Sequence, residues 1–214
     1  MLPNDDLIRA KESIAKHHIS PRTGVGDMRV PVGQRQVDKM VPMIAIVRDL
    51  KETPLSEWKL VISGEVENPV TLDFSDLEKL GIEDFTFDIH CVTSWSRLDQ
   101  DFRGVDFTKI LSLVKPLPTA KHVIFESAND GYSTNCILEE LRENPTLIAT
   151  HIDGKPISLA YGGPIRMVIP HLYYWKSSKY VTHIRFVRED EPGFWEVRGY
   201  HNHADPWKDE RFSE

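Results

Sequence analysis

The stretch His90-Cys91-Val92-Thr93-Ser94-Trp95-Ser96-Arg97 sets a thiol beside the hydroxyls of Thr93, Ser94 and Ser96 and the guanidinium of Arg97. It closes the run Phe85-Thr86-Phe87-Asp88-Ile89, in which apolar and polar residues alternate with the period of a half-buried strand. Continuing the alternation turns Cys91 to the apolar side. A sulfur held at the end of a rigid strand, with donors around it, suits a buried cofactor site. The same position suits a cysteine that is only a small core hydrophobe, and spacing does not choose between the two.

A second set of residues suits an oxyanion. Gly162-Gly163-Pro164 lets backbone approach a ligand closely, and Arg166 follows on a strand, pointing opposite to Ile165 and Met167. Trp175-Lys176-Ser177-Ser178-Lys179 then places two hydroxyls between two ammonium groups, a fit for phosphate. The alternative is that Lys176 and Lys179 lie on a solvated face. His201-Asn202-His203-Ala204-Asp205 has the spacing of a zinc or non-haem iron tripod, or is a packed tail. His17 and His18, being adjacent, cannot face one metal together and are expected exposed. The chain lacks a phosphate-binding glycine loop, G-x-G-x-x-G, H-E-x-x-H and G-x-S-x-G, so nucleotide-binding and hydrolase chemistry lose support.

The elements that must position these groups are mostly strands. Residues after Asn4 read as a helix with Leu7, Ile8, Ala10, Ile14 and Ala15 on one side and Asn4 or Asp5 as cap. Ser20 to Asp38 reads as an irregular arm wrapped on the body. Strands are expected over Trp58 to Val66, Val70 to Phe74, Val123 to Ser127, Leu147 to Ile152, Ile165 to Pro170 and Tyr180 to Val187. Turns are expected at Asn129-Asp130-Gly131 and Asp153-Gly154. Short helices are expected from Ser75, as the start of a capping box, to Gly81, from Asp106 to Val114, and around Leu138 to Arg142. The predicted class is α+β with mixed β-sheets and short helices, in one domain over residues 1–214, of which 1–40 form the helix and arm.

The composition agrees with an ordinary globular chain: 214 residues, 40% hydrophobic and 28% charged. With 26 basic and 33 acidic residues the net charge is −7, which argues against nucleic acid or an anionic membrane as main partner. Met43-Ile44-Ala45-Ile46-Val47 is of strand length, far from a membrane span. Met1-Leu2-Pro3-Asn4-Asp5-Asp6 has no export-signal character, so the expected location is cytoplasmic. Cys91 and Cys136 are too few for a disulfide framework and are expected as thiols.

Taken together, His90 to Arg97, Gly131-Tyr132-Ser133-Thr134-Asn135, Gly162 to Pro170, Leu172 to Lys179, and Gly199-Tyr200-His201 with Asp205-Pro206-Trp207 resemble the sulfite oxidase family of molybdopterin-dependent oxidoreductases. The likeness is to its small, single-domain prokaryotic members and runs from about Arg29 to Phe212. It implies the family's molybdopterin-binding domain fold and a mononuclear molybdenum held by a pterin dithiolene and one protein thiolate, at Cys91. A soft thiolate suits such a metal. The family's cofactor contacts carry over to Ser127, Arg166, Ser177, Ser178 and Lys179, with His90 and Arg97 as neighbours of the metal or pterin and Arg97 in a catalytic role.

The resemblance further implies oxygen-atom transfer to or from a small substrate, a sulfite-like oxyanion or a sulfoxide. With neither a haem segment nor the dimerisation domain of the larger sulfite oxidases in the sequence, electrons are expected to pass through a separate partner. The pocket tyrosine of sulfite oxidases is matched by Thr150, and Tyr161 precedes Gly162, which sets this pocket apart from theirs. The alternative function is a non-catalytic molybdopterin carrier of the same fold.

Overall fold

Alternation and turn chemistry produce a strand-rich fold with four α-helices among the described residues. The computed structural model describes residues 4–17, 28–42, 46, 50–127 and 131–213. The terminal Met1-Leu2-Pro3, His18, the arm up to residue 27, most of Met43 to Val47, and Asn129-Asp130 lie outside them. In chain order the elements are α1 (Asp5–Lys16), β1 (Arg35–Gln36), β2 (Leu60–Gly64), β3 (Val70–Leu72), α2 (Phe74–Leu80), β4 (Glu83–Cys91), β5 (Trp95–Asp106), α3 (Phe107–Val114), β6 (His122–Ser127), β7 (Ser133–Ile137), α4 (Leu138–Glu143), β8 (Leu147–Ile152), β9 (Lys155–Pro156), β10 (Arg166–Val168) and β11 (Val181–Val187). They confirm the α+β class with mixed sheets. No helix among the described residues is long and apolar enough to cross a membrane.

One sheet has β5 at its centre. β4 pairs with it antiparallel, while β1 joins it parallel and β8 antiparallel, and β10 and β9 pair with β8. The other sheet runs β3-β2-β11-β6-β7. One core packs the second sheet against the helices through Ile62, Phe107, Ile110, Phe125, Ile184 and Phe186. A second core, with Ile89, Trp95, Val168, Tyr173, Trp195 and Tyr200, surrounds the end of β4.

Local chemistry sets the element ends. α2 begins two residues earlier than its expected Ser75 cap: Asp73 is the cap, its carboxylate accepts from the Asp76 amide, and the Asp76 carboxylate accepts in return from the Asp73 amide at 3.1 Å each. The Asp106 carboxylate accepts from the Thr108 amide at 2.7 Å and starts α3. Asn4 stands at the α1 cap position without a side-chain capping bond; its amide donates instead to the Ile46 carbonyl at 2.8 Å.

Besides the two-residue β1 and β9, two longer strands escape the sequence reading. β5 carries too many charges to read as a strand, yet Asp99, Asp101 and Arg103 all point to solvent. Partners fix that polar face: Arg29 forks onto Asp88 at 2.8 and 2.6 Å and bonds Asp99 at 2.5 Å, while Thr86 donates to Asp101 at 2.8 Å. The second is the Ser133–Ile137 strand, a polar segment that becomes a strand by pairing with β6. The arm also contributes β1, two residues paired with Trp95 and Ser96.

Candidate active site

Cys91 is the last residue of β4, directly opposite Trp95 of β5, so the thiol sits at the corner of a hairpin. The corner closes through the Ser94 amide, which donates to the Cys91 carbonyl at 3.0 Å, with Ser94 in the left-handed region at φ 69°. Both ends of the chain pin it. Gln34 donates its side-chain amide to the Cys91 carbonyl at 3.1 Å. Arg211 donates to the carbonyl of Val92. The sulfur is buried and lies 3.2 Å from the Thr93 hydroxyl. Burial pushes the thiol pKa up, while Thr93, Lys11 and Arg211 pull it down.

The sulfur opens on a cavity with about 820 Å³ of empty space, part of it continuous with solvent. Its wall brings together Cys91, Arg166, Ser177 and Lys179, four of the residues singled out from the sequence. Aromatic rings of Tyr132, Tyr161, Tyr174, Trp175, Trp195 and Tyr200 supply much of the rest.

Arg166 is 1% exposed. Its guanidinium donates to the carbonyls of Tyr161 at 2.6 Å, Ser177 at 2.9 Å and Met167 at 3.2 Å, and stacks 4.1 Å from the centre of the Tyr174 ring. Among the described residues no carboxylate pairs with it. A buried cation held only by carbonyl dipoles is ready for an anion. The Tyr174 hydroxyl and the Trp175 indole N–H, on the same wall, are buried without a hydrogen-bond partner, and burial pushes the Tyr174 phenol up to about 12. Gly162 and Gly163 let this wall close. A Cβ on Gly162 would fall 2.5 Å from Lys179 Cγ, and one on Gly163 only 1.8 Å from the Ile157 carbonyl oxygen. Lys179 Nζ donates to the Ala160 carbonyl at 2.9 Å.

Other singled-out residues stand elsewhere. His90, Arg97, Ser127 and Ser178 are not on the cavity wall. His90 faces away from Cys91, 2.9 Å from the Ser96 hydroxyl and edge-on to Trp207. Arg97 donates to the neighbouring carbonyl of Leu98. Ser178 is fully buried and donates to the Lys179 carbonyl at 3.4 Å. Ser127 ends β6 with its hydroxyl buried and unpartnered. Thr150 donates to the Arg103 carbonyl and lines a different cavity, whereas Tyr161 is on the Cys91 wall.

One sequence expectation needs correction, and of the two readings of the His201 to Asp205 stretch the metal tripod falls away. Lys176 is neither solvated nor part of the oxyanion pocket: its ammonium is buried against Glu196 at 2.6 Å and donates to Asn135 and Asn202. Its location between two aromatic strands made that pairing unreadable without the fold. The His201, His203 and Asp205 tripod does not assemble. His203 is clamped between Glu140 and Glu210, His201 Nδ1 accepts from the amides of His203 and Ala204, and Asp205 caps the turn at Trp207. No three metal-ligating side chains converge among the described residues. His17, also considered as a ligand, bonds the Ser13 carbonyl at 2.7 Å.

Sequence reasoning missed Lys11, Met40 and Arg211, which belong to segments remote in sequence from Cys91 and carry no local pattern that marks them.

Comparison with known proteins follows the same outline. A family model described as oxidoreductase molybdopterin binding domain matches residues 47–195. The chain is 39% identical over 159 residues to the uncharacterized oxidoreductase YuiH of Bacillus subtilis (strain 168), covering 74% of this chain and 80% of that one. It is 30% identical over 155 residues to the protein-methionine-sulfoxide reductase catalytic subunit MsrP of Campylobacter jejuni, covering 65% of this chain and 52% of the relative. The MsrP of Xanthomonas campestris pv. campestris is 31% identical over 160 residues, with 68% and 49% covered. The chain thus spans about half the length of these two reductase subunits. Among solved structures it is similar in fold to the sulfane dehydrogenase SoxCD from Paracoccus pantotrophus, with a TM-score of 0.57 at 19% identity, covering 65% of this chain and 40% of that one.

Proposed function

The chain belongs to the oxidoreductase molybdopterin binding domain family, and from that premise we propose that it removes the oxygen atom of a small sulfoxide, with Cys91 as the protein ligand of the molybdenum. The coarser statement needs no proposal: it is a molybdopterin-binding oxidoreductase, and molybdopterin with molybdenum is the cofactor of its domain. The direction and substrate class rest on similarity to two proteins named as methionine-sulfoxide reductase subunits.

The residues present suit the cofactor. Arg166 is a buried cation without a carboxylate, a natural seat for a phosphate, with Ser177 and Lys179 on the same wall. The buried, unpartnered donors of Tyr174 and Trp175 remain for a ligand with acceptor atoms. Cys91 supplies a soft sulfur from a corner tied at its own carbonyl and at that of Val92. When bound, the cofactor supplies reversible two-electron chemistry.

The protein's own part is to fix the sulfur, grip the anionic tail and keep water out behind the aromatic wall. Sulfoxide reduction takes up two electrons and two protons and releases sulfide and water. The electrons are proposed to come from a separate redox partner. The observation that carries the reading is the meeting of Cys91 and Arg166 on one cavity wall.

The test is turnover by the isolated holoprotein, after elemental analysis for molybdenum and fluorescence assay of extracted pterin. A reduced viologen dye should be oxidised on adding methionine sulfoxide or dimethyl sulfoxide. Oxidation of sulfite with no sulfoxide turnover would reverse the proposed direction, and full cofactor with no turnover on either would favour a carrier.

A further inference from the structure

Part of the cavity wall is built outside the family-matched stretch of residues 47–195. Lys11 comes from α1, Met40, Val41, Pro42 and Ile46 precede that stretch, and Tyr200 follows it. α1 is firmly docked there. The Asn4 amide bonds Ile46, Glu12 pairs with Arg198 at 3.1 Å, and Ala15 is buried against Gly199. The helix therefore delivers Lys11 to a defined place.

The ammonium of Lys11 lies 5.3 Å from the centre of the Trp195 ring. Among the described residues it has no carboxylate and no hydrogen-bond acceptor. Burial pushes its pKa down, and the charge that works against this is Cys91. Lys11 shares the cavity wall with Cys91, while the Arg166 guanidinium is stacked on Tyr174 and held by three carbonyls.

An ammonium left with a ring face and no acceptor has donor capacity that the protein itself does not use. Met40, Val41, Pro42 and Ile46, all apolar, line the same cavity. An inorganic oxyanion is polar on every side and would set charge against that wall. An organic sulfoxide has one strongly polarised oxygen and apolar substituents, and it satisfies both.

We infer that Lys11 is the substrate-recognition residue: its ammonium donates a hydrogen bond to the S–O oxygen of an organic sulfoxide, whose substituents rest on Met40, Val41, Pro42 and Ile46. This rests on the oxygen-transfer reading given above. α1 is then a specificity element placed over a family-type cofactor site.

The experiment compares wild type, Lys11→Met and Lys11→Arg holoprotein. One readout is equilibrium binding of dimethyl sulfone, a non-reducible S–O analogue, followed by fluorescence of the wall tryptophans. The others are KM and kcat for methionine sulfoxide, molybdenum and pterin content, and the far-UV circular dichroism melt. Lys11→Met should weaken sulfone binding and raise KM by about tenfold to a hundredfold, the range for a hydrogen bond to a charged group. kcat should change little, cofactor content should stay equal, and Lys11→Arg should recover most of the loss. If wild type reduces sulfoxides and Lys11→Met binds sulfone equally well, the inference fails and the proposed function stands. If Lys11→Met loses molybdenum or pterin, Lys11 belongs to the cofactor site and the inference also fails. If wild type neither binds sulfone nor reduces a sulfoxide, the functional reading itself fails and takes the inference with it.

Discussion

Arg211, 1% exposed, donates from its guanidinium to the carbonyl oxygen of Val92, so that the last residues of the chain hold the one that follows Cys91. The same guanidinium pairs with Asp209, which accepts from the Tyr173 hydroxyl at 3.1 Å, and packs 4.9 Å from the Tyr173 ring centre. A cysteine on a hairpin corner would otherwise have only local bonds to fix it.

Replacing Arg211 with Met takes the guanidinium away from the buried Asp209 carboxylate. We expect a loss of about 3–5 kcal/mol in stability by denaturant titration, together with lower molybdenum content because the corner loosens. Arg211→Lys should fall between, since an ammonium cannot span Asp209 and Val92 as the planar fork does. Unchanged stability in Arg211→Met would contradict this role.

Much of the fold could be read from residue pattern, because its strands are half-buried and alternate. The β4 strand with Cys91 on its inward side follows from Phe85, Phe87 and Ile89, and the Asp153-Gly154 turn from its two residues, both at positive φ. β5 could not be read, since its charges are satisfied by Arg29 and Thr86 from other segments. The site was legible where its residues share a local motif, as for Cys91, Arg166, Ser177 and Lys179. It was illegible for Lys11, which lines the cavity, and for Arg211, which holds the Val92 carbonyl, since both come to their places only through tertiary packing. Lys176 shows the reverse: a local pattern suited to phosphate, claimed by Glu196 in the folded chain.

Lys176 and Glu196 form a fully buried pair at 2.6 Å, with Thr134 donating to the same carboxylate oxygen at 2.6 Å. Lys176→Met should cost about 3–5 kcal/mol, because it strands a buried carboxylate. Adding Glu196→Leu should recover much of that loss in a thermodynamic cycle. A double variant as unstable as the single one would show that the ion pair is not the source.

In the proposed function Arg166 takes the anionic end of the pterin. Arg166→Met should lower affinity for the cofactor by about tenfold to a hundredfold, the range for charge-assisted hydrogen bonds, read as pterin released during gel filtration. Equal retention by variant and wild type would remove Arg166 from the site.

His171 has both ring nitrogens buried and unpartnered. Burial lowers its pKa to about 4; nearby His203 also lowers it and Asp205 raises it. Its unfolded value is about 6.5. Between these values the unfolded chain binds a proton that the native chain does not, so stability falls as pH drops from about 6.5 towards 4. His90, lowered to about 4 mainly by burial, adds to the same slope. Denaturation at a series of pH values should show the slope reduced in His171→Phe. A variant with the full wild-type slope would contradict it.

The central claim is that the Cys91 sulfur binds the metal, and molybdenum-edge X-ray absorption of wild type and Cys91→Ser tests it most directly. The account predicts one sulfur fewer in the metal's coordination shell of the variant, or loss of the metal, with turnover abolished and the thermal melt retained. A variant with the wild-type sulfur count and undiminished activity would contradict it.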